Sequence, residues 1–196
     1  MLLMIIGLGL FILIHLVPTA PDVRGSLVQR IGEGAYKGIF SLLSILGLAL
    51  IVYGYGKLHA TPGKNPVIWS PPHAMRHITM LLMLFSAILI TAAYIPSRIR
   101  TAVKHPMLAA IMLWALGHLL VRGDLASMVL FGSFLAWAVY DRISVKGRAA
   151  LGPLGDRPGS LGGDIAVLAV GVGLYAVMLL WGHARLIGIP IVSGWN

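Results

Sequence analysis

Six apolar stretches divide the chain: Leu2–Val17, Ile39–Tyr55, Ile78–Ile95, Met107–Val121, Leu125–Tyr140 and Ile165–Trp181. Each holds 15 to 18 residues, a little under the roughly 20 that cross a bilayer as helix, so the spans are expected to run on into their flanks. None alternates apolar and polar residues with a period of two, which argues against a β-barrel. Between the stretches stand helix breakers: Pro18-Thr19-Ala20-Pro21, then Pro62, Pro66 and Pro71-Pro72, then Pro96, Gly123-Asp124 and the Gly/Pro-rich stretch 152–163. The pattern predicts an all-α fold, a polytopic membrane helix bundle of five or six transmembrane helices forming one domain over residues 1–196. The short Arg122–Asp124 connection is what leaves five crossings as the alternative to six.

Composition agrees with that class. Hydrophobic residues make up 58% of the chain and charged residues 11%, against about 25% charged in a soluble domain. Mean hydropathy is +0.90. The net charge of +9 fits Lys and Arg gathered in loops facing anionic lipid, and no nucleic acid partner is expected. If all six stretches cross, one side holds ten Lys and Arg residues and the other five. The richer side, from Arg24 to Lys37, Arg98 to Lys104 and Arg142 to Arg157, is then cytoplasmic, with both termini outside and the bacterial inner membrane as location. Met1–Val17 has no positive residue ahead of it, as a cleaved leader would, and reads as an uncleaved first span. Trp69, Tyr94, Tyr140 and Trp181 fall at span ends, as an interfacial aromatic belt would. Glycines at Gly7, Gly9, Gly34, Gly38, Gly47, Gly171 and Gly173 suit close helix packing, within the bundle or at a dimer seam.

The candidate chemistry is histidine. There are 7 His, 6 acidic residues and no Cys, so a disulfide, a thiolate metal site and a thiol nucleophile are excluded. His15 and His118 both lie inside apolar runs, where an ionisable side chain is costly and points to function. His105 precedes Pro106 at the start of the fourth stretch. His73 and His77 read as an H-x-x-x-H pair opening the third, on one helical face. A bland account exists for each: a buried imidazole can bond a neighbouring carbonyl, and His59, His73, His105 and His183 read as solvated interfacial residues. Histidine without cysteine in an apolar bundle suits haem iron, copper or zinc. Simple alternation of spans puts His15 near the inner face and His118 near the outer one, so His15 with His105, or His118 with His73 or His77, are the easier pairs. Asp124 and Asp164 read as helix caps, Asp141-Arg142 as an ion pair, and Ser41 and Ser44 as bonding back to their own helix. Hydrolase, P-loop and dinucleotide motifs are missing.

Four segments together resemble a known family. They are the run Gly7 to Pro18 (G-L-x-L-F-x-x-x-H-x-x-P), the run Tyr36 to Ser44 with Gly47-Leu48 and Gly54-Tyr55-Gly56, the run Lys104-His105-Pro106 with Leu113 to Leu120 and Gly123-Asp124-Leu125, and Tyr140 to Ser144. Over roughly Gly7 to Arg148 they look like the NnrU family of bacterial integral membrane proteins. The resemblance implies a link to denitrification, where a member is needed for nitrite and nitric oxide reductase function. It also implies kinship with the 15-cis-ζ-carotene isomerases, haem b enzymes that isomerise a polyene. Their haem-ligating His positions match His15 and His118 here, and His105 is the reserve ligand. Two functions follow as expectations. One is a haem b-dependent redox or isomerase enzyme in the lipid bilayer, acting on a hydrophobic polyene substrate or supporting nitrogen-oxide respiration. The alternative is a non-catalytic accessory or maturation factor whose partner is a membrane reductase.

Overall fold

In the computed structural model, residues 1–148 and 152–192 are described, and among them the regular structure is helical. The helices are α1 (Leu2–Leu16), α2 (Pro21–Ile31), α3 (Glu33–Ala60), α4 (Met75–Ala92), α5 (Arg98–Val103), α6 (Pro106–Val121), α7 (Leu125–Arg148), α8 (Leu161–Val177) and α9 (His183–Ile187). A 3-10 turn, Val17–Thr19, closes α1, and a π turn, Met178–Gly182, carries α8 into α9 without a break. The apolar stretches do extend into their flanks. α3 starts at Glu33, α7 runs to Arg148, and α8 to α9 make 27 continuous residues. Five helical segments are long and apolar enough to cross a membrane, and α6, at 16 residues, is shorter. The protein is a multi-pass membrane helix bundle. Many large apolar side chains along these segments, such as Leu42, Ile45, Ile165 and Leu180, stay exposed and face lipid.

The described chain forms two compact units. The first takes Met1–His73 with the chain from His118 through α7, and the second takes Ala74–Gly117 with α8 and α9.

In the first unit α1 and α3 pack closely and antiparallel. A Cβ on Gly54 would lie 2.5 Å from the Met4 nitrogen, one on Gly7 2.7 Å from the Gly47 carbonyl, and one on Gly47 3.0 Å from Phe11. Glycine is required at this seam because the two backbones touch. Met4, Leu8 and Ile51 are buried beside it. α7 buries one face, through Ala126, Leu130, Phe131, Phe134, Trp137 and Ala138, at the spacing of three or four that a helix needs. The exposed α2 carries Asp22, Arg24 and Arg30 and has no buried residue. At the foot of the unit Arg148 donates to the Pro18 carbonyl (2.5 Å) and pairs with Asp141. The expected Asp141–Arg142 pair is therefore replaced. Neighbouring residues on a helix point about 100° apart, whereas seven residues return to the same face.

In the second unit α4 is tied to α6 by two side chains deep in apolar surroundings. Thr79 donates to the Gly117 carbonyl (2.9 Å) and Ser86 to that of Ala110 (2.9 Å). α8 crosses α4 where Gly171 meets Ile88, and a Cβ there would fall 2.7 Å from the Ile88 Cα. Ser160, rather than Asp164, caps α8 by accepting from the Gly163 amide. Asp164 instead accepts from the Ile99 amide (3.1 Å) in the first turn of α5. The Arg100 guanidinium holds the loop before α8 through the Gly155 and Arg157 carbonyls.

Candidate functional site

The antiparallel seam of the first unit leads to His15. The face of α1 that meets α3 runs Met4, Gly7, Phe11, and its next member is His15, which lies against Phe40 of α3. The imidazole stacks on Phe11 (centroids 4.0 Å apart, planes at 21°), with Phe40 at 4.9 Å and the edge of Trp137 at 5.5 Å. Phe134 closes the group from α7, 5.4 Å from Phe11. Nδ1 of His15 lies 2.7 Å from the Phe11 carbonyl one turn back. A carbonyl only accepts, so Nδ1 carries the proton of that bond, and Nε2 is the nitrogen left for a metal or a proton. Among the described residues no protein group hydrogen-bonds Nε2. Trp137 Nε1 is buried nearby without a hydrogen-bond partner.

His118, near the end of α6, belongs to the same unit and stacks on Phe131 (4.4 Å, 18°). Phe131, Phe134 and Trp137 follow one another at three-residue steps on the buried face of α7. The ring partners of the two histidines are therefore six residues apart, about 9 Å along the axis at ~1.5 Å per residue. The two imidazoles reach the buried face of α7 from opposite ends of the unit: His15 is the penultimate residue of α1, three before Pro18, and His118 lies one turn before Arg122. α7 continues 11 residues beyond Trp137 to Arg148. His105 belongs to the second unit, where its carbonyl accepts the Ala109 amide at the start of α6. His73 precedes α4 while His77 lies within it, so the two do not share a helical face. Among the described residues no group of three or more His, Asp or Glu could hold a metal ion.

At the opposite end of the seam lies a polar network that the sequence did not reveal. His59, in the last turn of α3, bonds the Tyr55 carbonyl through Nδ1 (3.0 Å) and accepts from Arg122 (2.7 Å) and Asn65 (3.3 Å) at Nε2. It is thus not a freely solvated loop residue. Asp124 caps α7, as expected, by accepting from the Ser127 amide (2.9 Å), and it also takes Asn65 (2.8 Å) and the Ser127 hydroxyl (2.8 Å). Because Ser127 spends its proton there, Tyr55 is the donor in the 2.7 Å contact between the two hydroxyls. Burial raises the Asp124 carboxyl, but the Asn65 and Ser127 hydrogen bonds and the Arg122 charge outweigh it and hold the group below the usual carboxylate range. Beside the network opens a cleft of about 420 Å³ lined by His59, Asn65, Trp69, Arg122 and Asp124.

Compared with known proteins, residues 3–191 match the NnrU protein family. The chain belongs to the NnrU family. No curated protein and no solved structure matches it. The donor set bears on haem, the cofactor that the resemblance to the haem b isomerases implies. A bare zinc or copper ion needs three or four protein ligands, and no such cluster forms among the described residues. Haem brings four nitrogens of its own and asks the protein for one or two axial imidazoles and an apolar, aromatic surround. His15 fits that demand, since its Nδ1 bond orients the ring as second-shell carbonyls orient metal-bound histidines.

Proposed function

We propose that this NnrU protein is a haem b-binding protein of the bacterial inner membrane, with His15 as an axial ligand and His118 as its partner. The reading is carried by the His15 imidazole, locked through Nδ1 to the Phe11 carbonyl, open at Nε2, and set among Phe11, Phe40 and Trp137. His118 stacks on Phe131, six residues before Trp137 on the buried face of α7. Haem bound there would supply a one-electron couple or a Lewis-acidic iron at membrane depth. The chain's own part is to orient the imidazole and to exclude water with aromatic rings. Asp141, the carboxylate whose charge reaches His15, is already paired with Arg148, which favours electron handling in support of nitrogen-oxide reduction over proton-transfer chemistry. The isomerisation of a lipid-soluble polyene is the other use of such a haem.

The test is an absorption spectrum of the purified protein expressed with haem precursor. A Soret band that shifts on reduction is expected in the wild type. His15→Ala should lose or displace it, and His118→Ala should change its position or intensity. A colourless, folded protein that takes up no added haem would overturn the reading. Co-purification of that colourless protein with a membrane reductase would point to an accessory role instead.

A further inference from the structure

A second cavity lies one helical turn from His15, toward the start of α3. It measures about 310 Å³ and is lined by Pro18, Arg24, Tyr36, Lys37, Phe40 and Ser41. Its most informative atom is the Tyr36 hydroxyl. Tyr36 is only 7% exposed, and its hydroxyl is buried with no hydrogen-bond partner. A buried phenol without a partner is costly and calls for something that completes it, a ligand or an ordered water.

The groups around that hydroxyl specify the ligand. The Arg24 guanidinium lies 5.5 Å above the Tyr36 ring. A guanidinium held over an aromatic ring keeps N–H donors that can hold an oxyanion in a fork. Lys37 stands at the rim, where its ammonium meets Glu33 at 2.8 Å in an exposed pair. Glu33 is therefore already engaged on the outer side. Phe40 and Pro18 make the remaining wall apolar, and Phe40 is the ring that packs on His15 at 4.9 Å. A donor, a cation over its ring and an apolar wall in one cleft call for a ligand with an anionic end and an apolar body.

We propose that this cleft binds the oxyanion of a membrane amphiphile, a carboxylate or a phosphate, with Tyr36 donating a hydrogen bond and Arg24 and Lys37 supplying the countercharge. Two sources carry that chemistry. A carboxylate would be a propionate of haem, and this source rests on the haem reading above. A phosphate would be the headgroup of an anionic phospholipid, taken by a basic pocket at the membrane surface, and this source does not depend on haem.

The experiment uses the full chain in detergent, as wild type, Tyr36→Phe, and Arg24→Gln with Lys37→Gln. Thermal unfolding confirms that each variant is folded; Tyr36→Phe removes only an oxygen. Each protein is titrated with haem and with haem dimethyl ester, whose propionates carry no charge. Each is also loaded from vesicles of phosphatidylglycerol or phosphatidylcholine, and retained lipid is read by native mass spectrometry. Loss of one hydrogen bond to a charged group corresponds to about a tenfold loss of affinity or more. A tenfold weaker hold on haem in the variants, with the ester unchanged, supports the carboxylate source. Loss of retained phosphatidylglycerol, with phosphatidylcholine unaffected, supports the phosphate source. If the variants match wild type in both arms, the proposal is overturned. If wild type takes up no haem at all, the cofactor reading falls and the lipid arm alone decides this one.

Discussion

At Asp124 burial and hydrogen bonding pull on one carboxyl in opposite directions, and hydrogen bonding wins. In the unfolded chain the group titrates near the ordinary aspartate value of about 3.9. Its folded value is lower, so its contribution to stability is complete above that range and drains away as pH falls through the folded value. Thermal unfolding of the wild type should drop more steeply below about pH 4 than that of Asp124→Asn. At neutral pH the variant should be less stable by about 1–3 kcal/mol, the cost of orphaning buried donors. The network around Asp124 was illegible in the sequence because Tyr55, Asn65 and Arg122 come from three separate segments and none carries a periodic signal. His15 and His118 were legible for the opposite reason: an imidazole within an apolar run stands out without any knowledge of its neighbours. What the sequence withheld was the aromatic face of α7, Phe131 to Trp137, that both rings meet.

Between elements, glycine spacing decides how closely helices approach, and the chain supplies its own controls. Gly7 and Gly9 are both in α1, and Gly171 and Gly173 both in α8, yet only the first of each pair meets another backbone. Gly7→Ala should destabilise the protein by about 1–3 kcal/mol, the usual penalty for overpacking, because its Cβ would strike the Gly47 carbonyl. Gly9→Ala should leave the unfolding temperature in detergent nearly unchanged, since nothing lies within 4 Å of its Cβ. Equal effects at both positions would mean that the α1–α3 seam is not what holds the first unit. Sequence reading found these glycines as a class. Only the positions of Met4, Gly47 and Ile88 separate the packed ones from those on open surface, Gly34 and Gly38 included.

On the scale of the whole molecule, hydrogen bonds inside each unit bear on how many times the chain crosses. Pro18 and Arg148 meet, so α1 and α7 end on one side and run parallel. His59 and Asn65 reach the start of α7 through Arg122 and Asp124, so α3 ends on the side where α7 begins. Between those two points the chain must therefore cross an even number of times, and α4 and α6 are antiparallel by the Thr79–Gly117 and Ser86–Ala110 bonds. α4 is long and apolar enough to span; if it crosses, α6 is the helix that carries the chain back, and six crossings are the expected count. Reporter fusions after Arg30, Lys64, Arg100 and Arg148 in a bacterial host should report inside, outside, inside and inside. Periplasmic activity at Arg100 or Arg148 would reverse the orientation.

That return leg sets the thickness of membrane the protein prefers. α6 has 16 residues and rises about 24 Å, against about 30 Å of hydrocarbon in a typical bilayer. Lipid beside α6 must thin, or the Arg122–Asp124 knot must be drawn below the headgroups with water following it, and each carries a modest elastic cost per ångström of mismatch. Reconstituted into phosphatidylcholines of graded acyl length, the protein should unfold at a higher temperature in 14-carbon than in 22-carbon chains. A flat or rising response with chain length would mean that α6 does not feel the bilayer as a spanning helix.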